Sequence, residues 1–200
     1  MDRDDWNERY SAAGLLWHAE PNRFLAPEVE GLAPGRALDL ACGEGRNAVW
    51  LAEQGWDVTA VDFAGVALAK GATMADERGV SVRHVEADVL TWSAPAAAFD
   101  LVIVFYLQLP ATELQRVLAR AVDALAPGGV LLVVAHDRTN LTDGIGGPRD
   151  ASVLSTPDEV AAALDGLVIE RAERVRRPVA TDDGTVDAID LLVRATRGAA

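Results

Sequence analysis

Two hundred residues, half of them apolar, suit a single globular domain and exclude an intrinsically disordered chain. The formal net charge of −13, from 31 acidic against 18 basic side chains, repels nucleic-acid backbones and anionic membrane surfaces, so neither is expected as a partner. One cysteine, Cys42, excludes an intramolecular disulfide. The amino terminus has no signal-like apolar core, and the longest apolar stretch, residues 99–109, is too short to span a bilayer; a cytoplasmic protein is expected.

In chain order, residues 1–35 carry Trp6, Tyr10, Trp17, His18 and Phe24, much of the aromatic content. Trp6 and Tyr10 are four apart and share one helix face, suited to docking on a core or to forming an aromatic lid. This segment is expected as a helical extension on a core spanning residues 36–200. From residue 36 onward, short apolar runs alternate with helical patterns, predicting an α/β domain with a doubly wound, mostly parallel sheet and helices on both faces. Residues 37–41 read as a first strand, 46–54 as a helix stopped by Gly55, 57–62 as a second strand and 64–78 as a helix closed by Gly79. Strands follow at 81–86 and 101–105, the latter uniformly apolar as in a strand covered on both faces. A helix over 112–125 is expected to be broken by Pro127-Gly128-Gly129 before an apolar strand at 130–135.

Residues 137–156 lose all period and read as a structureless connection, of the kind that forms a lid. They end at Thr156-Pro157-Asp158-Glu159, a cap, a first-turn proline and a capping-box glutamate that predict a short helix to residue 164. Two closing strands are expected at 167–176 and 188–195. Arg171, Arg174, Arg176 and Arg177 in the first of these form the nearest basic patch, interrupted by Glu170 and Glu173, and read as a solvated strand edge.

The stretch Leu38-Asp39-Leu40-Ala41-Cys42-Gly43-Glu44-Gly45-Arg46-Asn47-Ala48 carries the most chemical information. Glycines between a strand and a helix let a ligand approach the backbone closely, and the helix start aims amides at it. Gly43-x-Gly45-x-x-Ala48, with Asp62 beyond, also matches a dinucleotide fingerprint. The charges separate the two readings. Asp39 and Glu44 stand where a dinucleotide would place its pyrophosphate, and like unit charges at ~4 Å repel by ~1 to 4 kcal/mol. A phosphate-free, cationic nucleoside meets no such penalty.

This stretch resembles the first motif of class I S-adenosylmethionine-dependent methyltransferases. The resemblance has specific motifs over roughly residues 36–135 and continues by topology alone. It implies a Rossmann-like sheet of seven strands with the last antiparallel, S-adenosyl-L-methionine as cofactor and S-adenosyl-L-homocysteine as product. It assigns cofactor contacts to Asp39, Ala41, Gly43, Gly45 and Asn47. Asp62, followed by Phe63, matches the residue that holds the ribose hydroxyls, and Ala87-Asp88-Val89 looks like the adenine site. Phe99-Asp100-Leu101-Val102 and Pro127-Gly128-Gly129 are similar to later family elements, and Phe105 would line the crevice. Ala41 departs from the pattern, since many members carry glycine there.

For the acceptor side, His136 ends the fifth strand at the crevice edge and is the candidate general base, with Arg138 to hold an anionic acceptor and Tyr106 as a pocket wall. Cys42 reads as a packing residue. No metal site is expected, because His18, His84 and His136 lack ligand spacing and Asp137 stands alone. Short length and an aromatic N-terminal helix look similar to the thiopurine and tellurite-resistance type, implying a small-molecule methyl acceptor (thiol, oxyanion, hydroxyl or amine) and a monomer or weak homodimer. Two alternatives remain open from sequence: a non-catalytic sensor of the cofactor, and a nicotinamide-dependent oxidoreductase.

Overall fold

A computed structural model describes residues 2–182 and 184–199. Two N-terminal helices, α1 (Arg3–Tyr10) and α2 (Leu25–Val29), precede β1 (Arg36–Leu40), α3 (Arg46–Glu53), β2 (Asp57–Asp62), α4 (Gly65–Glu77) and β3 (Val82–Glu86). The second half runs β4 (Phe99–Phe105), α5 (Ala111–Ala124), β5 (Leu125–His136), α6 (Asn140–Asp143), a 3-10 turn (Ala151–Val153), α7 (Pro157–Ala162), β6 (Leu167–Thr181) and β7 (Gly184–Arg197).

The strands form one seven-stranded sheet ordered β3-β2-β1-β4-β5-β7-β6, in which β7 runs antiparallel to both of its neighbours. The chain winds outward from β1 to β3 and then returns to β4 on the other side of β1. That reversal opens a crevice at the carboxyl ends of β1 and β4, the place where such sheets bind ligands.

Period-two alternation explains why β4 is apolar throughout. Val102 and Val104 point into one core with Leu38 and Leu40 of β1, while Leu101, Ile103 and Phe105 point into the other with Ala37. Helix α5 closes the first core through Leu114, Val117, Leu118 and Ala121, a single face at three-and-four spacing. Leu118, 1 % exposed, contributes about 2 kcal/mol by leaving water. Helices α2 and α3 cover the opposite core with Leu25, Val29, Ala48 and Leu51. The capping box expected at α7 is present, with Thr156 accepting from the Glu159 amide and Glu159 from the Thr156 amide.

Three expectations need correction. Pro127-Gly128-Gly129 does not separate helix from strand: α5 stops at Ala124, and Leu125 already pairs with Phe99, so β5 runs through the turn past a register shift. Gly129 permits this, because a Cβ there would fall 2.8 Å from the Ala126 carbonyl and 3.0 Å from that of Phe99. Residues 137–156 are not structureless. They hold α6 and the 3-10 turn, and Asn140 ties them down by accepting from the Ile189 amide at 2.7 Å and donating to the Gly146 carbonyl at 2.9 Å. The closing hairpin is also longer than expected, since β6 and β7 stay paired from Leu167–Arg197 out to Thr181–Gly184.

Candidate active site

The glycine turn leaves β1 through three left-handed residues: Ala41 at φ 58°, Gly43 at 55° and Gly45 at 73°. Ala41 adopts a left-handed conformation that glycine reaches freely and a Cβ strains. Asp62, at the end of β2, braces the turn, accepting from the Gly43 amide at 2.8 Å and from Ala64 at 2.9 Å, one on each carboxylate oxygen. Burial raises its pKa, against these amides. Asp39 lies beside it, 1 % exposed, with Oδ2 sealed from solvent and without a hydrogen-bond partner among the described residues. Burial, then the proximity of Asp62, push the Asp39 carboxyl up to about 8. An acid left in this condition suits a cationic guest.

Glu44 corrects the sequence argument about loop charge. It turns away from the crevice and is buried, accepting from the Leu16 and Trp17 amides at 2.9 and 3.0 Å and from Lys70 Nζ at 3.3 Å. Its charge is therefore neutralised and fastens the N-terminal segment; Asp39 alone carries the argument against a pyrophosphate. Lys70 also donates to the Ala12 and Gly14 carbonyls. Trp6 and Tyr10 stack at 5.5 Å, as their spacing predicts, and the Tyr10 hydroxyl roofs the turn, 2.8 Å from where a Cβ on Gly43 would stand. Asn47 is buried and accepts from the Asn22 amide at 2.8 Å, tying the segment to the start of α3.

A second polar cluster sits where β4 and β5 end. Asp190 of β7 is opposite His136 in the antiparallel ladder and is fully buried. Its Oδ1 lies 3.0 Å from His136 Nδ1. The N–H is not aligned on that oxygen, yet both atoms are sealed from solvent and neither has a hydrogen-bond partner among the described residues. Asp190 Oδ2 accepts from the Tyr106 hydroxyl and from Arg177 Nε, both at 2.7 Å. Burial works to raise the Asp190 pKa, but His136, Arg177 and Tyr106 outweigh it and hold the carboxyl below its ordinary value. Tyr106 has φ 55°, a strained backbone at the crevice edge, and its ring lies 5.1 Å from that of His136.

Arg46, the first residue of α3, faces the same mouth; burial, and then the like charge of Arg177, lower its pKa. Asp88 follows β3, half-buried, with one oxygen capping the Leu90 amide at 2.8 Å. Ala87 is tied to β2 by its amide, 2.9 Å from the Asp62 carbonyl. Phe63 is half-buried after β2, whereas Val89 and Phe105 are buried core side chains. Arg138 is not brought to the crevice. Its guanidinium grips Glu159 through two 2.8 Å bonds and the Leu154 carbonyl at 3.0 Å, bracing the loop onto α7.

The basic patch lies on the solvated edge strand β6, as expected, but its arginines are paired with carboxylates. Arg171 pairs with Glu28 and Glu173, Arg174 with Asp137, Arg176 with Asp187 and Arg177 with Asp190. Sequence reasoning missed Asp190 and Arg177 as members of the cluster. The available signal was a lone carboxylate inside the apolar run Ile189-Asp190-Leu191-Leu192-Val193. No group of three or more His, Cys, Asp or Glu side chains suited to a metal occurs among the described residues, nor does a helix long and apolar enough to cross a membrane. A groove of about 550 Å³, lined by Pro34, Trp50 and Trp56, lies at the opposite ends of β1 and β2, away from these carboxylates.

Residues 37–129 match a family model described as a methyltransferase domain. The chain is 39 % identical over 104 residues to demethylmenaquinone methyltransferase of Thermus thermophilus, covering 51 % of this chain and 47 % of the relative. It is 32 % identical over 140 residues to ribosomal RNA small subunit methyltransferase C of Alcanivorax borkumensis, covering 64 % and 42 % respectively. The chain thus spans about half the length of these curated relatives. In fold it is similar to the N-methyltransferase NodS of Bradyrhizobium japonicum, solved with S-adenosyl-L-homocysteine, at a TM-score of 0.74 and 20 % identity over 98 % of this chain and 97 % of that one. Through residues 37–129 the chain is thus similar to the methyltransferase-domain family, and its fold is similar to that of an N-methyltransferase solved with S-adenosyl-L-homocysteine.

Proposed function

We propose that this protein transfers a methyl group from S-adenosyl-L-methionine to a small-molecule acceptor, releasing S-adenosyl-L-homocysteine. The observation that carries the reading is Asp39, whose sealed Oδ2 has no hydrogen-bond partner among the described residues, beside a left-handed glycine turn. Asp39 fits the cofactor's ammonium, and Gly43 and Gly45 offer backbone without a Cβ. The remaining lone pairs of Asp62 suit ribose hydroxyls, and Asp88 suits the adenine amino group. The cofactor supplies a methyl carbon already activated by its sulfonium. What the protein adds is alignment of donor and acceptor, which by itself is worth ~7 to 11 kcal/mol. Residues 2–35, docked through Trp6, Tyr10 and the Glu44–Lys70 fastening, serve as an aromatic cover that excludes water from the positive sulfur.

In this reading His136 takes the acceptor's proton. A small acceptor is favoured over a nucleic acid by the net charge of −13 and by the carboxylate partners that occupy the β6 arginines. The test is twofold. Calorimetry should register S-adenosyl-L-homocysteine binding and none for NADH. A panel of thiols, phenols and amines should then yield S-adenosyl-L-homocysteine with at least one acceptor. Binding without turnover on any acceptor favours a sensor, and uptake of NADH alone overturns the reading.

A further inference from the structure

Within the proposed methyl transfer, on which this inference rests, we infer that Asp190 is a positioning residue: it holds the His136 imidazole with its proton on Nδ1, leaving Nε2 as the base for an acceptor whose attacking atom still carries a proton. The two nitrogens of His136 have opposite surroundings. Nδ1 is sealed, has no aligned hydrogen-bond partner among the described residues, and lies 3.0 Å from Asp190 Oδ1. Nε2 has no hydrogen-bond partner among the described residues and is not among the sealed atoms, so it keeps its access to the crevice.

The carboxylate is itself held. Its other oxygen takes the Tyr106 hydroxyl and Arg177 Nε, so Asp190 cannot rotate away from the imidazole without giving up both. Arg177 also reaches the Tyr106 hydroxyl at 3.2 Å, closing a ring of contacts. A modest turn of the imidazole aligns its N–H with Oδ1, and catalytic hydrogen bonds commonly tighten in this way when substrate binds. On the far side, Gly147 lies against the ring. A Cβ there would fall 2.9, 2.8 and 3.0 Å from Cγ, Cδ2 and Nε2, near-equal distances that place the residue over the ring's face and leave the Nε2 edge open.

The proton balance is complete. As the acceptor atom bonds to the methyl carbon, the carbon–sulfur bond breaks and its electron pair stays on sulfur. The acceptor's proton passes to Nε2, the imidazolium is stabilised by Asp190, and the proton later leaves to solvent. An acceptor already ionised at neutral pH gains nothing from this arrangement. The favoured class is therefore a neutral nucleophile with a dissociable proton, for which a phenol is the simplest probe.

The test compares D190N with the unsubstituted protein, using an ordinary phenol and a nitrophenol already ionised at assay pH. D190N should lower kcat on the phenol by about 10²-fold or more, the usual scale of general-base catalysis, with KM little changed and S-adenosyl-L-homocysteine affinity kept. On the ionised nitrophenol the loss should stay within about threefold. Equal losses on both acceptors overturn the inference. Independently of turnover, nitrogen-15 NMR of the unsubstituted protein should find His136 protonated on Nδ1 in its neutral form, with that preference gone in D190N. A proton on Nε2 instead sinks the inference, whether or not D190N folds. If the cofactor analogue fails to bind while the NMR result holds, the methyltransferase reading fails and the His136–Asp190 arrangement stands.

Discussion

Replacing Asp39 by asparagine tests the central physical feature of the crevice. The side chain is 1 % exposed, and its pKa stands at about 8 because burial, and then neighbouring Asp62, disfavour the charged form. A carboxyl that binds its proton more tightly when folded gives its full stability below the unfolded value near 4, and loses it as pH rises through 8. The loss is at most ~1.4 kcal/mol per pH unit, so four units set a ceiling of ~5 to 6 kcal/mol. Relaxation and water penetration around a buried charge reduce this, and a deficit on the order of 2 kcal/mol by pH 8.5 is expected. D39N removes the charge but keeps the shape. Urea midpoints measured from pH 5 to 8.5 should therefore diverge, with D39N close to the unsubstituted protein at pH 5 and clearly more stable at pH 8.5. The same substitution should weaken S-adenosyl-L-homocysteine binding. It should also abolish the proton release expected at pH 7, when a protonated Asp39 ionises to meet the ammonium. Parallel midpoints across the whole pH range would refute the buried-carboxylate argument.

Ala41→Gly should raise stability by about 0.5 to 1 kcal/mol, since relief of the left-handed strain at φ 58° outweighs the extra chain entropy of glycine; the thermal midpoint would then rise by roughly 1 to 4 °C. A lowered midpoint would contradict the strain assignment. Gly147→Ala adds a Cβ 2.8 Å from the His136 ring at φ 75°, so turnover should fall while cofactor affinity is kept. Gly146→Ala, at φ 72° with open space around it, is the control: it carries the backbone strain of about 1 to 2 kcal/mol without touching the imidazole, and its turnover should be retained.

Much of the architecture was legible because its signals are local. The capping box at Thr156 acts between residues three apart, and the uniformly apolar run of β4 reports cover on both faces directly. The left-handed turn at Gly43 and Gly45 demands glycine where the chain itself carries it. Boundaries failed where a contact from elsewhere decided them. Leu125 joins β5 because Phe99 lies beside it, and residues 137–156 are ordered because Asn140 reaches the Ile189 amide on β7.

The amino-acid sequence alone determined the glycine turn, the acidic residues at the ends of β1 and β2, and the family to which they point. Whether an acidic side chain faces the crevice or the interior was decided only by tertiary structure. Glu44 and Asp39 look alike in the motif, yet Glu44 is consumed by Leu16, Trp17 and Lys70, while Asp39 keeps a bare oxygen. The pairing of His136 with Asp190 and the capture of Arg138 by Glu159 depend in the same way on strand register and loop path. Those are set by the packing of the whole sheet, and no window of neighbouring residues encodes them.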